Sequence, residues 1–360
     1  MLRKSRDFFA DNQGKSLEEA IKCLKKSELY MHKKIKRIMR IIIIGLVAVS
    51  ALIFCGIAIA HQVVFSRADY DKYDSDYFLV YDDIDKEKYP REQMIVQSGG
   101  NDISAFLYAV DNAKGLIVVA PGHRDANDIK LYEIRYFVDA GYSVVCLDYT
   151  GCYTSSGSSM KGYSQSVYDI DALLNYIEED EIFADMPIYL FGHSMGAYAV
   201  CAELQFDHNI AKVVAASGFD TPKEQWQYSI KRYTGMFYPV VKPFNSLFIT
   251  LKYGDDKDLS AVDGINSVSI PVLIISAEED SFYGGRSPIY ERQNEVINPN
   301  CTFVLMDKEN HNGHYDYFLT DAALEYAAED PVLPVDKELY MEHDADIMNM
   351  IIDFMNSVSP

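Results

Sequence analysis

The stretch Gly192-His193-Ser194-Met195-Gly196 sets a serine between two glycines. The apolar run Pro187-Ile188-Tyr189-Leu190-Phe191 leads into it, and the helix-like run Ala197-Tyr198-Ala199-Val200-Cys201 follows. This is G-x-S-x-G in a strand–turn–helix setting. A turn that tight holds its serine in a strained backbone conformation, and side chains at the glycine positions would collide with neighbouring elements. The strain lifts the Ser194 hydroxyl above the sheet edge. The new helix then directs its first N–H groups at developing negative charge. The chemistry implied is attack by Ser194 on a carbonyl through an acyl-serine intermediate.

Such an attack creates an oxyanion that needs preorganised donors. One is expected to be the backbone N–H of Met195, the residue after the nucleophile. The second is expected from the loop after the third strand, where Leu116–Ala120 runs into Pro121-Gly122-His123-Arg124-Asp125, and is assigned to the N–H of His123. The His123 side chain reads as pocket wall, because it precedes the nucleophile. An acid and a base should follow Ser194 in that order. The run Val272–Ser276 is followed by Ala277-Glu278-Glu279-Asp280, which puts Asp280 where the chain leaves the sheet. Asp280 there can hold a histidine's tautomer and stabilise the imidazolium. Cys301–Met306 then leads to two candidate bases, His311 and His314. The tight-turn pair Asn312-Gly313 favours His314, with His311 as the alternative.

The elements that must position these residues alternate. Short apolar, β-branched runs at 94–96, 106–110, 116–120, 143–147, 188–191, 213–216, 272–275 and 301–306 predict strands. Helical spacing puts Leu131, Ile134 and Val138 on one face, as it does Val167, Ile170, Leu173, Leu174 and Ile177, and Ile347, Met350, Ile351 and Phe354. The alternation predicts a mostly parallel sheet with helices on both faces. Residues 221–266 interrupt it and predict an inserted cap. The cap holds Trp226, Tyr228, Tyr233, Met236, Phe237, Tyr238, Phe244 and Phe248, which either line an apolar pocket or pack the cap onto the body.

Residues 41–60 are twenty residues without a charge, enough to cross a hydrocarbon core. Lys33, Lys34, Lys36, Arg37 and Arg40 precede them, so the positive-inside rule keeps the N-terminus cytoplasmic and exports the domain. Ala58-Ile59-Ala60 resembles a signal-peptidase site, but the apolar run exceeds the usual h-region and its leader is long. The expected organisation is a basic tail (1–38), a transmembrane helix (39–64), an acidic spacer (65–90) and one domain (91–360). Residues 1–40 hold 12 Lys/Arg against 5 Asp/Glu, which leaves a balance of −28 on the rest of a chain whose net charge is −21. A surface that acidic repels phosphate backbones, which excludes nucleic acid as a partner. The six cysteines include no C-x-x-C and no Cys/His cluster at metal spacing, so no metal, cofactor or disulfide framework is expected.

The stretches VVAPGHRD, CLDYTG, PIYLFGHSMGAYAV and IPVLIISAEEDSF resemble the α/β-hydrolase superfamily, over about residues 116 to 320. The likeness is to its bacterial branch of serine aminopeptidases and monoacylglycerol-lipase-like hydrolases. The resemblance implies an α/β-hydrolase fold with an inserted cap, and a triad of Ser194, Asp280 and one of His311/His314. It implies serine hydrolysis without fixing a substrate; the expected substrate is a small acyl compound, an ester or thioester first and a peptide or amide second. A silent binding protein on the same scaffold is the rival outside enzymes. Two positions depart from the family pattern: Tyr153 stands where a second glycine is frequent after Gly151, and His123-Arg124-Asp125 follows the oxyanion glycine.

Overall fold

The computed structural model describes residues 2–70 and 72–358. Residue 1 of the expected tail, residue 71 of the expected spacer and residues 359–360 of the expected domain lie outside it. The chain divides into a helical unit, residues 1–59, and a globular unit, residues 60–360.

One helix, α1 (Leu2–Val64), runs through the basic tail and the apolar segment without a break. The sequence reading separated tail from span; no proline interrupts either, and the chain stays helical throughout. From Ile21 to Val64 this helix is long and apolar enough to cross a membrane. Ile41, Ile42, Ile43, Ile44, Leu46 and Leu52 leave their side chains exposed, as a helix built to face hydrocarbon does.

The globular unit is built on one eight-stranded sheet in the order β1-β2-β4-β3-β5-β6-β7-β8. β1 (Glu92–Ser98) and β2 (Asn101–Tyr108) form an antiparallel hairpin whose second strand pairs antiparallel with β4 (Ser143–Leu147). The remaining strands are parallel: β3 (Leu116–Ala120), β5 (Ile188–His193), β6 (Ile210–Ala216), β7 (Val272–Ala277) and β8 (Cys301–Met306). β3, β4 and β7 are buried along their whole lengths, which is why each reads as an unbroken apolar run.

On one face, α2 (Leu131–Asp139) and α8 (Ala345–Asn356) bury Ile134, Phe137, Ile347, Met348 and Ile351 against Ile117, Val119, Val144 and Phe191. α3 (Tyr163–Glu179) buries Val167, Ile170, Leu173, Leu174 and Ile177. α4 (Met195–Ala202) is buried at every position, so its sequence shows no polar face.

Residues 65–90 are not the free spacer their Asp and Tyr content suggested. Leu79, Ile84 and Tyr89 enter the main core, and Phe65 and Ala68 are buried. The amide of Ala68 donates to Gly151 O (3.0 Å), that of Tyr153 to Ala68 O (2.7 Å) and that of Met160 to Phe65 O (2.9 Å). Arg67 adds bonds to the carbonyls of Ser155 (2.9 Å) and Gly157 (3.0 Å). A few well-placed apolar residues and one guanidinium suffice to hold an acidic segment.

Between β6 and β7 run α5 (Pro222–Thr234), α6 (Tyr238–Tyr253) and α7 (Ala261–Ser267). The cap aromatics divide between the two roles expected of them. Trp226 and Phe248 are buried and pack on His61, which also bonds Tyr253 Oη (2.7 Å). Tyr228 and Tyr233 line the cleft described below. Met236 and Phe237 do neither and stand exposed. Trp226→Ala removes the largest fully buried side chain. We expect it to cost about 3–5 kcal/mol, read as a lowered midpoint in thermal unfolding, whereas Phe237→Ala leaves that midpoint within error.

Candidate active site

At the turn from β5 to α4, Ser194 takes φ 56° and ψ −116°, a left-handed conformation a serine adopts only under constraint. The constraint comes from both glycines. A Cβ on Gly192 would meet the Gly196 carbonyl, and one on Gly196 would meet the Ala120 carbonyl oxygen at the end of β3. The Ser194 N–H is held by Ala216 O at 2.9 Å. Met195 opens α4, so its N–H is among the first-turn donors with no partner inside the helix.

Asp280, fully buried, follows β7. Its Oδ1 accepts the amide of Phe282 (2.8 Å), which turns Oδ2 to His314 Nδ1 at 2.6 Å. The structure therefore pairs His314 with the acid. His311 bonds Asp321 Oδ1 instead, at 2.6 Å, ten residues further along the chain. The acid and histidine loops are tied by Glu279 N donating to Asn312 O (2.9 Å). Phe282 stacks on the His314 ring at 5.1 Å.

Ser194, Met195, His314 and His123 line one cleft of about 1040 Å³. Its walls include Val63, Val64, Phe219, Tyr228, Tyr233 and Phe282. Burial, with Arg124 adding to it, pushes the His123 imidazole down to about 4, so its side chain is neutral wall at neutral pH. In the same loop Gly122 N donates to Asp125 Oδ2 (3.2 Å), which leaves the His123 amide as the next donor along. Tyr153, at φ 44°, occupies a conformation that suits glycine, and its hydroxyl donates to the Arg124 carbonyl. The substitution thus ties the loop after β3 to the loop after β4.

Two positioning features escaped the sequence reading. His193, the variable residue before Ser194, is buried, and its Nε2 bonds the His314 carbonyl at 2.9 Å. Burial, with His314 next to it, holds its imidazole well below the usual range, so the ring is neutral and Nε2–H donates. Its place inside the motif was the available signal. The second is a buried charge network. Lys130 Nζ lies 3.3 Å from both Asp125 Oδ2 and Glu133 Oε1, and Glu133 Oε1 accepts from Tyr315 Oη at 3.0 Å. It joins the loop bearing His123 to the residue beside His314. Burial alone would raise the Glu133 carboxyl, but Lys130 and His343 outweigh it and hold it near 2.

The segment 111–262 matches the family model of serine aminopeptidase S33. Lysophosphatidylserine lipase ABHD12 of Danio rerio is 26% identical over 155 residues, 42% of this chain. This chain spans about two fifths (39%) of that relative's length. An esterase structure from Pyrococcus furiosus superposes with a TM-score of 0.55 at 14% identity, over 81% of this chain and 98% of the other. The α/β hydrolase GrgF from a Penicillium species does so at 0.50 and 16% identity, over 74% and 98%. The chain has the α/β-hydrolase fold. Its sheet order, its cap between β6 and β7 and its serine turn after β5 are the fold's arrangement.

Lys130→Met strands Glu133 as a buried carboxylate and should destabilise the protein by about 3–5 kcal/mol at neutral pH. The pH dependence carries the sign. With its folded value near 2 against an ordinary 4.5, Glu133 stabilises the wild type above about pH 4.5, and that stability drains as pH falls from there toward 2. In the variant burial is no longer opposed by Lys130, only by His343, so the carboxyl titrates higher, and acidification from pH 7 to 4 should narrow the gap to wild type. Thermal unfolding at the two pH values reads it; a gap that stays constant would mean Lys130 is not Glu133's counter-ion.

Proposed function

We propose that this protein is a membrane-anchored serine hydrolase that cleaves an ester or thioester through an acyl-serine intermediate. The observation that carries the reading is that the Asp280–His314 pair opens onto the same cleft as the strained Ser194. His314 Nδ1–H donates to Asp280, which leaves Nε2 with a lone pair to take the Ser194 proton. Ser194 Oγ then bonds the substrate carbonyl carbon, and the amides of Met195 and His123 receive the oxyanion. The imidazolium, stabilised by the buried Asp280 carboxylate, returns the proton to the leaving alcohol or thiol. Water, deprotonated in turn by His314, releases the acid and restores the serine.

The walls favour an amphiphilic acyl ester. Phe219, Tyr228, Tyr233 and Phe282 offer apolar surface, and Arg124 and Arg232 supply positive charge at the same cleft. Val63 and Val64 supply further apolar wall. The relative named as a lysophosphatidylserine lipase points the same way. The serine aminopeptidase match raises an aminopeptidase as the second reading. A free amino terminus needs an unengaged carboxylate, and the acid among the described cleft-lining residues, Asp125, already serves Lys130 and the Gly122 amide.

The basic cluster at 33–40 supports a cytoplasmic N-terminus and an extracytoplasmic domain. Protease added to intact cells should remove the domain; protection until lysis would reverse the topology.

The triad is tested by labelling with a fluorophosphonate probe and by turnover of acyl esters. Ser194→Ala should abolish both while the fold persists. His314→Ala should fall to nearly the same background, a loss of several orders of magnitude, and His311→Ala should cost about tenfold or less. Undiminished labelling of folded Ser194→Ala would end the proposal and leave the silent scaffold standing. His311→Ala falling further than His314→Ala would move the base.

A further inference from the structure

On the far side of the nucleophile helix, residues from three elements converge on one point. Asp171 and Glu178 lie two turns apart on one face of α3. Glu203 follows the last residue of α4, and His208 stands in the loop before β6. One ligand atom each from Asp171, Glu203 and His208 lie within 4.8 Å of one another. His208 Nε2 is 3.1 Å from Asp171 Oδ1 and 3.3 Å from Glu203 Oε1. Its other nitrogen, Nδ1, is 2.9 Å from Glu178 Oε2. Glu178 is itself fixed, its Oε1 accepting the Asn209 amide at 2.9 Å.

Glu203 is the observation that the cluster's own bonding does not explain. It is 1% exposed, and neither carboxylate oxygen has a hydrogen-bond partner. A buried carboxylate without hydrogen bonds is costly, and buried charges are ordinarily paired or bound to metal. Here its neighbours include two further carboxylates, Asp171 and Glu178. It sits at the C-terminal end of α4, where the helix dipole also favours a cation.

We propose that Asp171, Glu203 and His208 bind a divalent zinc ion, with Glu178 holding His208 in the ligating tautomer. Ligands about 2.0–2.1 Å from a tetrahedral zinc are roughly 3.3 Å from each other, which the two Nε2–oxygen separations match. A histidine that gives Nδ1–H to a carboxylate and Nε2 to the metal is the usual outer-shell arrangement. The imidazole nitrogen disfavours calcium and magnesium, which take oxygen donors. Three protein ligands leave one position for water. Zinc would bind Glu203 without protonation and clamp the tail of the nucleophile helix to α3 and to the strand β6.

The experiment uses the full chain in detergent, stripped with a chelator and dialysed against zinc, with bound metal quantified. Cobalt(II) serves as the spectroscopic substitute. We expect one equivalent in the wild type, visible d–d absorption with cobalt, loss of both in His208→Ala, and binding about 10–100-fold weaker in Glu178→Gln. Because His208→Ala removes a buried group, Asp171→Asn at the rim is the second variant. It should bind at least tenfold more weakly while keeping wild-type circular dichroism. Absence of bound zinc in the wild type, or equal affinity in natively folded His208→Ala or Asp171→Asn, overturns the proposal and leaves the cluster as a metal-free set of side-chain contacts.

Discussion

The closeness of Gly196 to the Ala120 carbonyl is the contact from which the site is built. Only a residue without Cβ lets the nucleophile helix start against the end of β3. That approach brings the Met195 amide beside the loop that carries His123, so both donors and the serine are set by one packing distance. Ser194 cannot relax from its positive φ, because the Ala216 carbonyl holds its amide and every residue of α4 is buried behind it. The backbone strain, of order 1–3 kcal/mol, is thus borne by the central strands of the sheet, the part of the fold least able to open.

Around that turn, the loops are joined to one another more than to the sheet. His193 reaches from the motif to the His314 carbonyl, Lys130 and Glu133 link the loop after β3 to Tyr315, and Tyr153 ties the loop after β4 to Arg124. The cross-links are buried or half-buried, so breaking one exposes or strands a polar group at a cost. A loop set connected this way would hold the imidazole and the amide donors of the proposed mechanism in register, as preorganised stabilisation of an oxyanion requires.

Much of this was legible in the sequence because it depends on local pattern. The eight strands appear as short apolar runs, and the serine turn carries its own glycines. The order of acid and histidine follows the direction of the chain, and Asn312-Gly313 pointed to His314. What stayed hidden depends on side chains meeting across long separations. The Asp and Tyr content of 65–90 suggested a spacer, yet Arg67 and three apolar residues bind it to loops some ninety residues away or to the core. Lys130 and Glu133 carry no motif signal in the sequence; only burial on the sheet makes them a network. The cluster of Asp171, Glu203 and His208 has no motif spacing, so a search for ligand pairs close in sequence passes over it.

The charge distribution bears on why such an enzyme would carry its own helix. The residues after position 40 hold a net charge of −28, and an anionic bilayer surface repels a body of that sign. Free in solution, the domain would be depleted from the surface where amphiphilic esters reside. The proposed membrane anchor would replace that unfavourable encounter with a fixed, high local concentration. Within the globular unit His61 packs on Trp226 and Phe248 of the cap, and Val63 and Val64 line the cleft. Arg124 and Arg232, against the acidic background, would then draw an anionic head group to the cleft that the rest of the surface would turn away.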